Sequence, residues 1–298
     1  MQGLNNLGST CAINSFIQLI YRCDKLKTVI LNSDTPEGTI TYELKDLFKV
    51  LDSSNNSVHP ARFIHNFYNV FKDIFRRFEQ NDICEIYLFI IQKIHDEISE
   101  IINYNPEYKN IFEEHAYKIA KHNEFKKSPI LDLLQGSYLH SIECLECGHI
   151  NRNFEPFIYI ALDVNDDNTI HELLNTQFSN ETRGKDEWLC DKCNKNCSYN
   201  KKTIVWKSPE ILFISLNRFQ KNNKYITTNI KLNFQKDYLL NGIGFHHGSL
   251  EGGHYNAINI NKELKKFIMY DDNVVNEISN DIIENVLKSS NSYLIVYV

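Results

Sequence analysis

The chain has 298 residues, enough for one large domain or two modest ones with ample material for a core. Hydrophobic residues make up 42% and charged residues 23%, and a net charge of −6 gives no footing for nucleic acid or an anionic membrane. Eight cysteines behind no visible leader point to reduced thiols, catalysis or metal rather than a disulfide framework. The expected compartment is therefore intracellular, cytoplasmic and/or nuclear. The long apolar runs, at 86–91 and 293–298, fall far short of the roughly 20 residues that cross a bilayer.

From residue 1 to about 135 the periodicity is helical. Ile13, Phe16, Ile17 and Ile20 recur at i, i+3, i+4 and i+7, which predicts a helix over Thr10–Arg22 with Ser9 and Thr10 as cap candidates. Further helices are predicted over Thr41–Leu51, Pro60–Phe78, Ile83–Ile102 and Pro106–His122. From Gly136 on the texture changes to short apolar strands, among them Phe154–Leu162, Ile211–Leu216, Tyr255–Ile260, Phe267–Tyr270 and Tyr293–Val298. A helical front and a stranded back read as an α+β fold.

Four constellations carry chemistry. Cys11 falls in the first turn of the first helix, where unpaired N–H groups and the macrodipole favour a thiolate; the alternative is a core cysteine opening an ordinary helix. Cys144-x2-Cys147 followed by Gly148, with Cys190-x2-Cys193, offers four thiolates, which suit tetrahedral, structural Zn2+. The wide gap between the pairs suggests two hairpins projecting together. Cys197 could replace Cys193, His149 is a further ligand candidate, and a redox pair or free thiols are the competing readings. His254 follows a glycine-bearing loop, His246 to Gly253, read as a mobile lid. A turn near residues 261–265 could return Asp271 beside His254 to hold its tautomer. Asp82 opens the fourth helix as a first-turn acid, and 209–219 reads as a buried strand ending at Arg218 and Phe219.

The run Gly3-Leu-Asn-Asn-Leu-Gly-Ser-Thr-Cys11-Ala-Ile-Asn-Ser closely resembles the Cys box of the ubiquitin-specific proteases. Gln80-Asn-Asp82, the paired Cys-x2-Cys, Arg218-Phe219, Gly252-Gly253-His254-Tyr255 and Tyr270-Asp271-Asp272 follow in that family's order across nearly the whole chain. The resemblance implies a papain-like hand in one catalytic domain over 1–298: a helical thumb at 1–135, zinc-bearing β fingers at 136–210 and a β palm at 211–298. It implies that Cys11 attacks the carbonyl carbon of ubiquitin's C-terminal glycine while His254 serves as base and then acid, oriented by Asp271. The Cys11 N–H and the Asn6 side chain would hold the oxyanion, with Asp272 in support. Asp82 and Glu85 would face ubiquitin's basic tail, and Phe219 and Tyr255 would line its path. Expected partners are ubiquitin, ubiquitinated proteins and polyubiquitin chains. A silent ubiquitin-binding module and a protease for a ubiquitin-like modifier are the rival readings. Ser9 stands where the family has Asn, Ala12 where it has an aromatic, and Ile86 where it has Phe. The first two substitutions could loosen the loop before Cys11.

Overall fold

The computed structural model describes residues 1–104, 107–184, 188–218, 224–249, 252–261, 266–279 and 281–298. Its helices are α1 Cys11–Tyr21, α2 Asp24–Asn32, α3 Ile40–Ser53, α4 Ala61–Val70, α5 Ile83–Ile98, α6 Ile111–His122, α7 Pro129–Leu134, α8 Ile170–Gln177 and α9 Ile283–Leu287. The helix expected over Pro60–Phe78 stops at Val70. Turns then carry Phe71 and Phe75 back onto Phe67, each ring centroid 5.1 Å from it. The expected start at Pro106 moves to Ile111, where Asn110 caps the N–H groups of Phe112 and Glu113. The unforeseen α7 and α8 carry start signals that are present in the sequence. Ser128 caps α7 ahead of Pro129, and Thr169 with Glu172 forms a capping box on α8.

The longer strands are β1 Gly136–Cys144, β2 Ile150–Phe157, β3 Ile160–Asp163, β4 Glu181–Arg183, β5 Tyr199–Lys207, β6 Leu212–Asn217, β7 Lys231–Phe234, β8 Lys236–Ser249, β9 Gly252–Asn261, β10 Lys266–Asp271, β11 Val274–Ile278 and β12 Ser292–Tyr297. A four-stranded sheet runs β2-β1-β5-β4, and an eight-stranded sheet runs β11-β10-β9-β8-β12-β6-β3, with β7 paired to β8. The strand expected over Phe154–Leu162 is two strands, because the chain leaves the smaller sheet at Phe157 and joins the larger one at Ile160. The Tyr87 hydroxyl donates to the Ile158 carbonyl at 2.6 Å and pins this crossing. The segment 136–210 therefore visits both sheets: β3 lies parallel to β6 before the chain returns at β4.

The central strands β6 and β12 of the large sheet are buried on both faces, which is why they read as apolar runs. In β12, Leu294 and Val296 join the core under the helices, while Ile295 and Tyr297 join a second core on the opposite face. In β8 the second core takes Ile243 and Phe245, and the helix-facing positions are Gly242 and Gly244. That vacancy admits α1, of which every residue is buried. Full burial of Ile13, Phe16, Ile17, Leu19 and Ile20 is worth about 1.5–3 kcal/mol each. The chain ahead of α1 is tied down as well: Leu4 bridges Val58, and the Leu4 N–H donates to the Asp272 carbonyl at 2.8 Å. A Cβ on Gly3 would lie 2.5–2.7 Å from the backbone of Asp272 and Asn273, so only glycine lets these segments touch.

A methyl group on Gly242 would lie 2.5 Å from Asn259 Oδ1, 2.8 Å from Leu19 Cδ2 and 3.0 Å from the Ile258 carbonyl. Gly242→Ala should therefore lower the unfolding free energy by about 1–3 kcal/mol, read from urea melts. An unchanged midpoint would show that α1 is not seated on this strand as closely as described.

Candidate active site

The loop before α1 is built around one side chain. The Asn6 Oδ1 accepts from the Gly8 N–H (3.0 Å), the Thr10 N–H (3.2 Å) and the Thr10 hydroxyl (3.2 Å). Its oxygen committed, the carboxamide presents its NH2 outward, where one hydrogen goes to Asp272 Oδ2 at 2.8 Å. Thr10 occupies the N-cap position but makes no side-chain cap; its Oγ1 accepts from the Leu7 N–H at 3.0 Å and serves the loop instead. The other Asp272 oxygen accepts from Asn14 Nδ2 at 2.8 Å. Asp272 itself sits at φ +50°, a left-handed turn directly after β10.

Cys11 opens α1 and is 6% exposed. Burial pushes its thiol up, and the Asp272 carboxylate adds to that. The Tyr255 main-chain N–H, together with the N–H groups of Ala12 and Cys11 itself, pulls the other way without prevailing. This corrects the expectation of a thiolate favoured by the helix start: in the substrate-free state desolvation outweighs those N–H groups. α1 packs against β9, which brings the helix that Cys11 opens against the strand that carries His254.

His254 and Asp271 meet through strand register. Ala257 pairs with Tyr270, so one step further Asn256 lies opposite Asp271, and His254 becomes its diagonal neighbour on the same face. His254 Nε2 donates to Asp271 Oδ1 at 2.5 Å, which leaves Nδ1 as the basic nitrogen. The residues expected to form a mobile lid are largely strand: β8 runs to Ser249 and β9 starts at Gly252, with Gly248 facing Gly253. His254, Asp271 and Asp272 offer ligand atoms within 4.8 Å of one another. Both Asp272 oxygens and Asp271 Oδ1 already accept N–H bonds, however, so these acids orient donors rather than present an anionic cage. A thiol, an imidazole with a carboxylate behind it, and a fixed amide NH2 are the parts of a thiol acyl-transfer site.

Other expected residues fall differently. Asp82 caps α5, with Oδ1 accepting from the N–H groups of Cys84 (2.6 Å) and Glu85 (3.2 Å). Its Oδ2 accepts from the Tyr293 hydroxyl at 2.5 Å, a partner that no sequence spacing announces. Glu85 is exposed in the first turn. The Tyr255 ring is 5% exposed and stacked on His246 with centroids 4.5 Å apart, so substrate could meet this residue only through its main chain. Expected substrate contact by that ring is corrected to a core role. Phe219 lies outside the described residues. Asn14 was missed; its signal is an amide on a helix whose face is otherwise dominated by isoleucines and Phe16, though Ser15 and Gln18 are buried there too.

Cys144, Cys147, Cys190 and Cys193 place their sulfurs within 4.8 Å of one another, close enough to hold a metal ion. Cys144 ends β1, and Cys190 ends the first strand of a small hairpin, Leu189–Cys190, whose second strand is Lys195–Asn196. Cys197 is fully buried with its sulfur 3.4 Å from that of Cys193.

The fold and these parts define an α+β domain that carries a thiol, an imidazole–carboxylate pair and a fixed amide NH2. The profile of the family described as ubiquitin carboxyl-terminal hydrolase matches residues 2–297, and the chain belongs to that family. It is 24% identical over 366 residues to ubiquitin carboxyl-terminal hydrolase 4 of Saccharomyces cerevisiae, a match covering 99% of this chain and 39% of the yeast protein. The chain thus spans well under half the length of that relative. It is 26% identical over 329 residues to ubiquitin carboxyl-terminal hydrolase 4 of Arabidopsis thaliana, covering 98% of this chain and 89% of the plant protein. A solved structure of the SAGA DUB module bound to monoubiquitin shares the fold, with a TM-score of 0.79 at 21% identity over 100% of this chain and 68% of that one. Among the described residues no helix is long and apolar enough to cross a membrane.

The raised Cys11 thiol sets a pH dependence. The reactive thiolate is scarce below its raised pKa, so alkylation of Cys11 by iodoacetamide in the free protein should climb with pH and still be climbing at pH 9.0, the ordinary thiol value. Peptide mass spectrometry separates Cys11 from the other thiols. A rate already level below pH 7 would mean a preformed thiolate.

Proposed function

We propose that the chain is a deubiquitinating cysteine protease that cleaves the isopeptide or peptide bond after ubiquitin's C-terminal glycine. One observation carries this: residues far apart in sequence converge, since Cys11 opens a helix seated on the strand that carries His254, and Asp271 holds the imidazole. His254 Nδ1 takes the thiol proton as Cys11 attacks the glycine carbonyl, which suits a nucleophile whose resting form is the thiol. The same nitrogen returns the proton to the leaving lysine amine, and water then releases the acyl-enzyme. Asp271 keeps the ring in one tautomer throughout. The Cys11 N–H and the second Asn6 hydrogen receive the oxyanion; Asp272 holds that amide by its first hydrogen, so the donor needs no reorganisation when charge develops. Asp82, beyond its capping, and Glu85 supply negative charge for a basic tail; Phe219 is assigned to the path of that tail on family resemblance. Ubiquitin, ubiquitinated proteins and polyubiquitin chains are the proposed partners. Eight free thiols fit a reducing compartment, the cytosol and/or nucleus.

The metal proposed at the cysteine cluster is zinc. A Zn–S bond of about 2.3 Å in a tetrahedron spaces sulfurs about 3.8 Å apart. Cys144 and Cys193 lie 4.0 Å apart, and Cys147 and Cys190 lie 3.7 Å apart. Four protein ligands close the coordination sphere, so the ion joins the β1–β2 turn to the 189–196 hairpin and takes no part in the chemistry.

A ubiquitin probe with a C-terminal electrophile should label the protein, and label it at Cys11. Cys11→Ala should abolish hydrolysis of a fluorogenic ubiquitin amide while keeping ubiquitin affinity within about threefold, since triad members act on chemistry rather than binding. Turnover surviving in that variant would end the mechanism; binding without any wild-type turnover would favour the silent-module reading.

Elemental analysis should find one zinc per chain. Cys190→Ser should lose it and melt at a lower temperature, because thiolate ligation contributes directly to folding. Well under one equivalent in protein expressed with zinc available would rule the site out.

A further inference from the structure

Gln80 has no part in the chemistry above, yet its side chain reaches the strand that carries His254. β9 is paired with β8 along its length, from Ser249 opposite Gly252 to Gly242 opposite Asn259. On its other edge β10 pairs only from Ala257 onward, Ala257 opposite Tyr270. In an antiparallel strand every second residue turns its N–H and C=O to the same neighbour. Gly253, Tyr255 and Ala257 therefore address one edge, and only Ala257 has a strand to meet there. At Tyr255 the main chain acts on the Cys11 thiol, where it favours the thiolate. At Gly253 the N–H donates to Gln80 Oε1 at 2.6 Å, and Gln80 Nε2 donates to the Gly253 carbonyl at 2.8 Å. One carboxamide thus supplies the acceptor and the donor that a neighbouring peptide would have supplied. It does so from the segment that leads into α5, two residues before the capping Asp82.

We propose that Gln80 is a positioning residue: its carboxamide stands in for the missing end of β10 and holds the β9 backbone so that His254, the next residue, faces Cys11. The inference rests on the reading of His254 as the catalytic base. Only Gly252 precedes the clamped residue in β9, so this bond pair sits at the start of the strand. No shorter or less polar side chain can keep both bonds. Asn is one methylene short, Leu offers neither bond, and ionised Glu keeps the bond from the N–H but sets a negative oxygen against the Gly253 carbonyl.

The test uses the full chain with a fluorogenic ubiquitin amide. Gln80→Leu and Gln80→Asn should lower kcat by roughly 10²-fold, the scale of an ångström-level misplacement of a catalytic group, with KM within about twofold and melting temperature nearly unchanged. Relative to wild type at the same pH, Gln80→Glu should recover activity toward low pH, where a protonated carboxyl regains a donor, and lose it as pH rises, a profile that a merely structural role would not produce. Amide exchange at Gly253, measured without ubiquitin, should quicken at least tenfold in Gln80→Leu. Unchanged kcat with quickened exchange would overturn the positioning role while leaving the clamp. A change confined to KM would make Gln80 a substrate contact and overturn it as well. Unchanged exchange would overturn the clamp itself. A wild type that hydrolyses no ubiquitin amide defeats the functional reading instead, and the exchange result still reports on the clamp.

Discussion

Two hydrogen bonds into one carboxylate hold the site together. Asp272 accepts from Asn6 through one oxygen and from Asn14 through the other, and its carbonyl takes the N–H of Leu4. Bonds to an ionised acceptor are roughly twice as strong as neutral ones, which accounts for a non-glycine residue kept at φ +50°. Through these contacts the loop before Cys11, the first turns of α1 and the end of β10 become one unit. Asp271, the adjacent residue, is placed against His254 by the same turn. The same negative charge raises the Cys11 thiol, so the group that fixes the oxyanion donor also favours the protonated nucleophile at rest. Locating the donor and tuning the sulfur are thus coupled through a single side chain.

Much of this was legible in the residues. The period of Ile13, Phe16, Ile17 and Ile20 located α1 to within a residue at each end, because a fully buried helix must carry apolar residues on its packing face. The spacing of His254 and Asp271 foretold a hairpin, and the paired Cys-x2-Cys foretold a cluster. Less legible was anything decided by partners distant in sequence. Phe157 to Leu162 is continuous apolar sequence, and nothing within it marks where the chain changes sheets; the mark is Tyr87, more than seventy residues away. β8 went unread because its helix-facing positions are glycines, which break the alternation that a strand normally shows.

Electrostatic readings fared worse than spatial ones for a related reason. Helix polarity is a local property and can be read from position, whereas desolvation depends on what the rest of the chain packs around a group. Cys11 sits where the first effect favours a thiolate, yet it is enclosed to 6% exposure and the second effect wins. Asp82 shows the same division: its cap on α5 follows from sequence, while its bond to Tyr293 follows from the order of strands in the sheet. Tyr255 was assigned to the path of the tail on family resemblance, but strand alternation turns its ring inward to the core.

The place of β12 in the large sheet has a consequence for how the protein is made. β12 lies between β8 and β6, two strands that touch each other only through it. Until residues 292–297 have left the ribosome, β8 and β6 each present an open, strongly apolar edge, the kind of surface that recruits foreign strands. α1 is synthesised well before β8 and β9, on which it is seated, so the reactive thiol emerges long before the surface that covers it. Non-local closure of this kind is slow. A nascent or prematurely ended chain would carry a cysteine without a base, and would depend on chaperones to keep its half-built sheet from pairing elsewhere.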